Sequence, residues 1–457
     1  MRRQLLEQTT LFLSVIKWTV YATVVGVLVG ASTTLFLKLL GSSTNIVTQN
    51  KYYFLLMPVG FFLSSLIVMY LAPGAEGHGT EKVIEAVNKR FGKMDIRVVP
   101  VKLITTIITI VSGGSVGKEG PAAQIGGGMS SYVATILHLP PEDRRKLVIC
   151  GISAGFAAVF GTPIAGAIFG IEVLYLGRIF YNVLFPSLLA GIISFETAKY
   201  LGITYVYHSM NIAPDFSRML FFKAILAGVF FGLLALVFIE CIEYFHRFFE
   251  RIKIWKPFKG LISGSALVAL TFVVGTKYLG LGLGGIESSL TGAKASIFDP
   301  LLKILFTAIC LGGGGSGGVV TPIFFIGSTA GNFFAGLMGI NPQMFAAIGM
   351  ISLLAAAANT PIAAFIMAIE LFGPGLGVFA AASAAVSFIV VGHRSIYSGQ
   401  VLGIVKSSSL IVDKRRQSEV GKINRLYVRP RRGTLLWFIL ILNRRVRRFF
   451  RKYLKRD

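Results

Sequence analysis

Glu119 follows Lys118 in the stretch GSVGKEGPAAQIG, Gly114 to Gly126, so that a carboxylate and an ammonium sit inside a glycine-rich, otherwise uncharged segment. The same frame recurs 201 residues later as GSGGVVTPIFFIG, Gly315 to Gly327, with no charge in it. Pro121 and Pro322 are each expected to begin a helix. Gly117, Lys118, Glu119 and Gly120 in the first copy, and Gly317, Gly318, Val319, Val320 and Thr321 in the second, then present unpaired backbone N–H groups at the positive end of a helix dipole. Such an end binds anions, and glycine lets the backbone come close to the ion. A carboxylate placed there is itself an anion and competes for the same N–H groups, so Glu119 reads as a plug that proton uptake would remove. The plain alternative is a Lys118–Glu119 interfacial pair without a transport role. A nucleotide-binding reading of GSVGKE fails, because a phosphate-binding loop needs glycine and Ser or Thr where Ser112 and Glu119 stand.

Other residues able to do chemistry follow the same two-fold plan. GTPIAGAIFGIEVL from Gly161 is matched by NTPIAAFIMAIELF from Asn359, an offset of 198. In both, Thr-Pro (Thr162-Pro163, Thr360-Pro361) opens an apolar run, with Thr as the cap and Pro at the first helical position. Gly161 and Asn359 just before are types that tolerate the left-handed conformation closing a helix. Each half is therefore expected to contain a helix that stops and restarts at membrane depth, where broken backbone is tolerated only inside protein or beside a water-filled cavity. Glu172 and Glu370 occupy matching positions and, being duplicated, read as structural partners of helix or loop N–H groups. Tyr397 in SIYSG can donate a hydroxyl to an anion or serve as an interfacial aromatic. His78 in GHG fits a donor, a pH-sensitive group or a turn residue. A weaker third repeat pairs Gly77–Val87 with Gly282–Gly292.

The elements that must position these residues are membrane helices. The chain has 457 residues, 54% hydrophobic and 14% charged, with mean hydropathy +0.72, far below the charged fraction of about 25% typical of soluble domains. Apolar stretches long enough to span a bilayer, about 20 residues, run over 11–40, 53–72, 147–176, 219–245 and 345–372. Shorter or interrupted ones cover 99–112, 122–137, 301–311 and 322–337. Such runs exclude an outer-membrane barrel. The expectation is an all-α polytopic membrane protein of two inverted-topology repeats with broken helices. A membrane domain takes residues 1–412, with halves at about 17–203 and 219–398, and a basic tail takes 413–457. The tail holds sixteen of the Lys and Arg residues against Asp413, Glu419 and Asp457, and suits an anionic lipid surface rather than nucleic acid. The positive-inside rule places it in the cytoplasm, with both termini there and the protein in the cell membrane. Cys150, Cys241 and Cys310 read as packed thiols. The five histidines form no ligand cluster, so no metal and no cofactor is expected.

Together these segments resemble the CLC family of chloride channels and proton-coupled chloride transporters. GHGTE at 77–81 stands for the family's GSGIP, GKEGP at 117–121 matches, GGVVTP at 317–322 stands for GGxFxP, and Tyr397 follows in order. The motif residues so assigned are Gly77, Gly79, Gly117, Gly120, Pro121, Ser316, Gly317, Gly318, Thr321 and Pro322. The resemblance implies a homodimer with a separate ion path in each subunit and chloride held by helix N-termini. It also implies Glu119 as gate, Val319 and Val320 N–H groups as chloride donors, and Tyr397 as inner hydroxyl donor. Three departures bear on mechanism: His78 replaces a chloride-coordinating serine, Val320 replaces an aromatic, and Val173 stands where exchangers carry an inner proton-transfer glutamate. The implied activity is passive, channel-like chloride conduction gated by protonation of Glu119. Chloride/proton exchange is the alternative, and fluoride/proton exchange is weaker because of Pro121.

Overall fold

The computed structural model describes residues 2–205, 216–407, 409–412, 419–422, 426–428 and 441. The basic tail of the sequence reading lies almost wholly outside the described residues. Among those described there are sixteen α-helices, which fall into two series of eight. The first series is α1 Arg2–Val47, α2 Met57–Leu71, α3 Thr80–Lys89, α4 Val98–Val111, α5 Glu119–Ile136, α6 Pro141–Phe160, α7 Pro163–Glu172 and α8 Leu184–Tyr200. The second is α9 Arg218–Arg251, α10 Lys256–Val274, α11 Leu283–Leu290, α12 Phe298–Gly312, α13 Val320–Met338, α14 Pro342–Ala357, α15 Pro361–Phe372 and α16 Gly377–Val390. The fold is the expected polytopic all-α one.

Segments 4–47, 53–71, 218–251, 256–274 and 320–338 are helical, long and apolar enough to cross a membrane. Two of these correct the sequence reading. Helix α10 did not stand out as a span, because Lys256, Lys259 and five polar or glycine positions dilute its apolar run. Helix α13 is a full 19-residue helix rather than a short piece, since Pro322 falls in its first turn and removes no hydrogen bond.

The two long runs at 147–176 and 345–372 are broken where expected. Gly161 closes α6 at φ 71°, and Asn359, at φ 55°, takes the left-handed conformation after α14. The chain restarts at Pro163 and Pro361. The expected caps are absent, however: the Thr162 and Thr360 hydroxyls are buried without hydrogen-bond partners. Instead, each helix start is capped from the other half. Glu172 accepts from the N–H groups of Ile362 (3.1 Å) and Ala363 (2.8 Å), and Glu370 accepts from those of Ile164 (3.0 Å) and Ala165 (2.7 Å). A carboxylate offers two charged acceptors to the first turn, against one neutral oxygen from Thr.

The core lies along α5, α6, α13 and α14, which are buried nearly all round. Small residues let these helices touch backbone to backbone, the usual packing device where lipid supplies no hydrophobic drive between helices. A side chain on Gly126 or Gly151 would run into the other's carbonyl, and Gly327 and Gly349 repeat the arrangement in the second half. After α16 the chain returns to the first half. Strand β1 Tyr175–Leu176 pairs in parallel with β2 Val401–Leu402, and Gln400 Nε2 donates to the Val173 carbonyl at 2.8 Å. A second pair, β3 Leu410–Val412 with β4 Leu426–Val428, follows.

Candidate functional site

The two glycine-rich loops meet. Gly117 and Gly318, equivalent in the repeat, form an antiparallel bridge in which each N–H donates to the other's carbonyl at 2.6 Å. Pairing of equivalent residues is what a two-fold axis between the halves requires. It also corrects the expectation that both N–H groups face an anion: they are spent on each other. Helices α5 and α13 begin at Glu119 and Val320, two residues ahead of Pro121 and Pro322.

Glu119 is almost wholly buried and leaves its own helix to reach the other. One carboxylate oxygen accepts from the Thr321 N–H at 3.1 Å, and the other accepts from the Thr321 hydroxyl. The carboxylate thus sits at the positive end of α13, on one of the N–H donors that the sequence reading expected there, with the Thr321 hydroxyl as an added partner. Val319 and Val320 are buried beside it. Lys118 and Glu119 line a cavity of about 610 Å³, together with Thr321, Phe324, Phe160 and Asn45. Lys118 makes no salt bridge with Glu119 within 4.0 Å.

On the other side lies the Gly77–Gly79 loop. Gly77 and Gly79 have φ of 80° and 84°, and Gly79 leaves no room for a side chain against the Gly120 carbonyl. Gly120 in turn packs on the His78 carbonyl and on Gly318, so all three loops converge as backbone. Sequence reasoning missed what holds this loop. The fully buried Lys102 of α4 donates to the carbonyls of Ala75 (3.1 Å) and Gly77 (2.6 Å). Lys303 of α12, at an offset of 201, donates to Tyr278 and Gly280, both at 3.0 Å. The signal was available as a lysine near the start of each of two apolar runs at the repeat offset.

His78 and Ser316 line a second cavity, of about 170 Å³, which also contains Glu76, Glu81 and His246. Glu81 and His246 are shared with a wider opening of about 640 Å³. Ser316 is tied by its N–H to Thr109 Oγ1 and by its hydroxyl to Thr105, both at 3.1 Å. Tyr397 is fully buried, fixed through Ile396 N–H to the Ala357 carbonyl at 2.8 Å. Its hydroxyl lies beside that of Thr80, both buried and without a hydrogen bond of normal geometry, while His78 Nδ1 lies 3.4 Å from Glu81 Oε2. Buried polar groups are normally satisfied, so the two hydroxyls fit an anion path. Helix α3 is not among the membrane-crossing helices. There, burial works against the charge of Glu81, but His78, the Ser398 hydroxyl and Lys82 outweigh it and hold the carboxyl down at about 2. Val173, fully buried, caps α7; it offers no titratable group.

Residues 60–392 match the family model described as voltage-gated chloride channel. The chain belongs to that family. It is 34% identical over 425 residues to a chloride/fluoride channel protein of Pseudomonas syringae pv. tomato, covering 92% of this chain and 94% of the relative. It is 26% identical over 385 residues to the H(+)/Cl(−) exchange transporter ClcA of Salmonella paratyphi A, covering 77% and 80%. Among solved structures, a CLC-type fluoride/proton antiporter superposes with a TM-score of 0.81 at 28% identity, covering 85% of this chain and 98% of that one. This CLC member is an integral membrane protein of a family that transports anions.

Proposed function

We propose that this CLC protein conducts small halide ions, chloride and fluoride, along a path between the two cavities, with the Glu119 carboxylate as a removable occupant. The observation that carries the reading is the seat of that carboxylate on the N–H and hydroxyl of Thr321. A protonated carboxyl no longer competes for those donors, which pass to the halide. A carboxylate oxygen is closer in size to fluoride than to chloride. A hydroxyl and an N–H together suit such a hard anion, in keeping with the chain's similarity to a chloride/fluoride channel protein and a fluoride/proton antiporter. Pro121 therefore carries little weight against fluoride.

The buried Val173 supports channel-like passage, because a valine cannot hold a proton at that place. The second reading, halide/proton exchange, is favoured by the titratable groups of the Glu81 cavity and by the named activity of the 28% identical structure. Reversal potentials in proteoliposomes under opposed halide and pH gradients separate the two. A potential set by halide alone is the expected result, and one that moves with pH at a fixed ratio establishes exchange. A homodimer with one path per subunit belongs to the same reading. Exposed Ile164 and Ile362, in the first turns of α7 and α15, offer it an apolar face, and cross-linking through cysteines placed there tests it.

A further inference from the structure

The cavity on the far side of Glu119 contains a pair of titratable residues that the halide path does not need. His78 Nδ1 lies 3.4 Å from Glu81 Oε2, with both side chains mostly shielded. The other Glu81 oxygen accepts from the Ser398 hydroxyl, and Ser398 adjoins Tyr397 in the chain. Glu81 is open to both the small cavity and the wider one, while the His78 carbonyl packs on Gly120, next to Glu119. The buried hydroxyls of Thr80 and Tyr397 lie beside each other in the same region. An imidazole set against an ionised carboxylate that faces water is an arrangement that takes up and hands on a proton.

We propose that His78 and Glu81 form the proton-loading pair for Glu119, taking a proton from the Glu81 cavity and delivering it past Thr80 and Tyr397 to the gating carboxylate. The step balances simply. The imidazole accepts a proton from cavity water on one ring nitrogen and releases one from the other, Glu81 compensates the transient imidazolium, and a Glu119 oxygen receives the proton.

The surrounding charges are accounted for. Glu76 is paired with Lys256 at 3.1 Å and His246 faces Glu250 at 3.2 Å. On α3 itself Lys82 stands 4.0 Å from Glu85. Lys102 is committed to the Ala75 and Gly77 carbonyls.

The inference rests on the gating role of Glu119, and the test separates the two. Halide efflux is measured from proteoliposomes at a series of symmetrical pH values for His78→Asn, Glu81→Gln and Glu81→Asp, each alone and on a Glu119→Ala background. Monodispersity in detergent checks folding. In the otherwise unaltered protein, His78→Asn and Glu81→Gln are expected to slow efflux about ten-fold, the equivalent of one unit of proton affinity at the loading site. Glu81→Asp should restore part of it. On the Glu119→Ala background, where no proton is required, the losses should disappear. Equal losses on both backgrounds would make His78 an anion ligand or a structural residue and overturn the proposal, as would no loss in either. If Glu119→Ala alone keeps the full pH dependence, the gating reading itself fails.

Discussion

Two pairs of equivalent positions behave oppositely in this molecule. Glu172 and Glu370 are duplicated, and the structure uses them identically, each capping the broken helix of the other half. Glu119 and Val320 occupy equivalent positions in the glycine-rich frames, yet only one is charged, and it reaches across to Thr321 of the uncharged copy. Where the repeat is kept, residues join the halves and complete helices that stop inside the membrane. Where it is broken, a group appears that the fold does not need. Loss of symmetry in a symmetric scaffold is thus itself a signal for function.

The largest expected effect tests the symmetric pair. Glu172→Ala leaves the Ile362 and Ala363 N–H groups unpaired in a buried place. At about 1.5–3 kcal/mol for each hydrogen bond to a charged group, this costs roughly 3–6 kcal/mol and should abolish monodisperse protein in size-exclusion chromatography. Glu370→Ala should cost less, because Glu370 is half-buried where Glu172 is buried. A stable Glu172→Ala protein with altered flux would move Glu172 from the structural class into the path.

Next comes the asymmetric member. Glu119→Ala should leave a folded protein whose halide efflux no longer varies with pH, as read from proteoliposome flux. A smaller effect is expected at its partner. The Thr321 hydroxyl donates to the ionised carboxylate and so favours the blocked form; Thr321→Val removes that bond. The pH of half-maximal efflux should therefore move upward, by about one unit for a loss near 1.4 kcal/mol. A downward move would mean that the hydroxyl serves the protonated, open form instead. The smallest effect belongs to Thr162→Ala and Thr360→Ala. True caps cost about 0.5–2 kcal/mol on replacement by Ala, but these hydroxyls cap nothing. Thermal unfolding in detergent should change by less than about 0.5 kcal/mol, and a larger loss would restore the Thr caps of the sequence reading.

Much of this was legible in the chain. Glycine-rich frames repeated about 200 residues apart, Thr-Pro helix openings and residues fit for the left-handed conformation are readable in the chain, and the breaks after Phe160 and Ala357 fell where those signals put them. Lys102 and Lys303 were missed because a lone lysine in an apolar run carries no local meaning until the loop carbonyls it serves are seen. Helix α10 was missed because polar residues facing other helices look, in one dimension, like an interruption. The N–H groups of Gly117 and Gly318 were misread because sequence shows that they are exposed by their loops, not that the loops face each other.

The sequence by itself determined the membrane class, the two-fold plan, the positions of the helix breaks and the singularity of Glu119, since all of these follow from composition, spacing and backbone preference. Only the tertiary structure decided which acceptor each donor meets. Glu172 caps a helix 190 residues away, Glu119 finds Thr321 across 202 residues, and Gly117 closes on Gly318. These partners are far apart in the chain and near in space. Inside a membrane protein, where a buried N–H without an acceptor costs several kcal/mol, that pairing settles which groups hold the fold together and which remain for the ion.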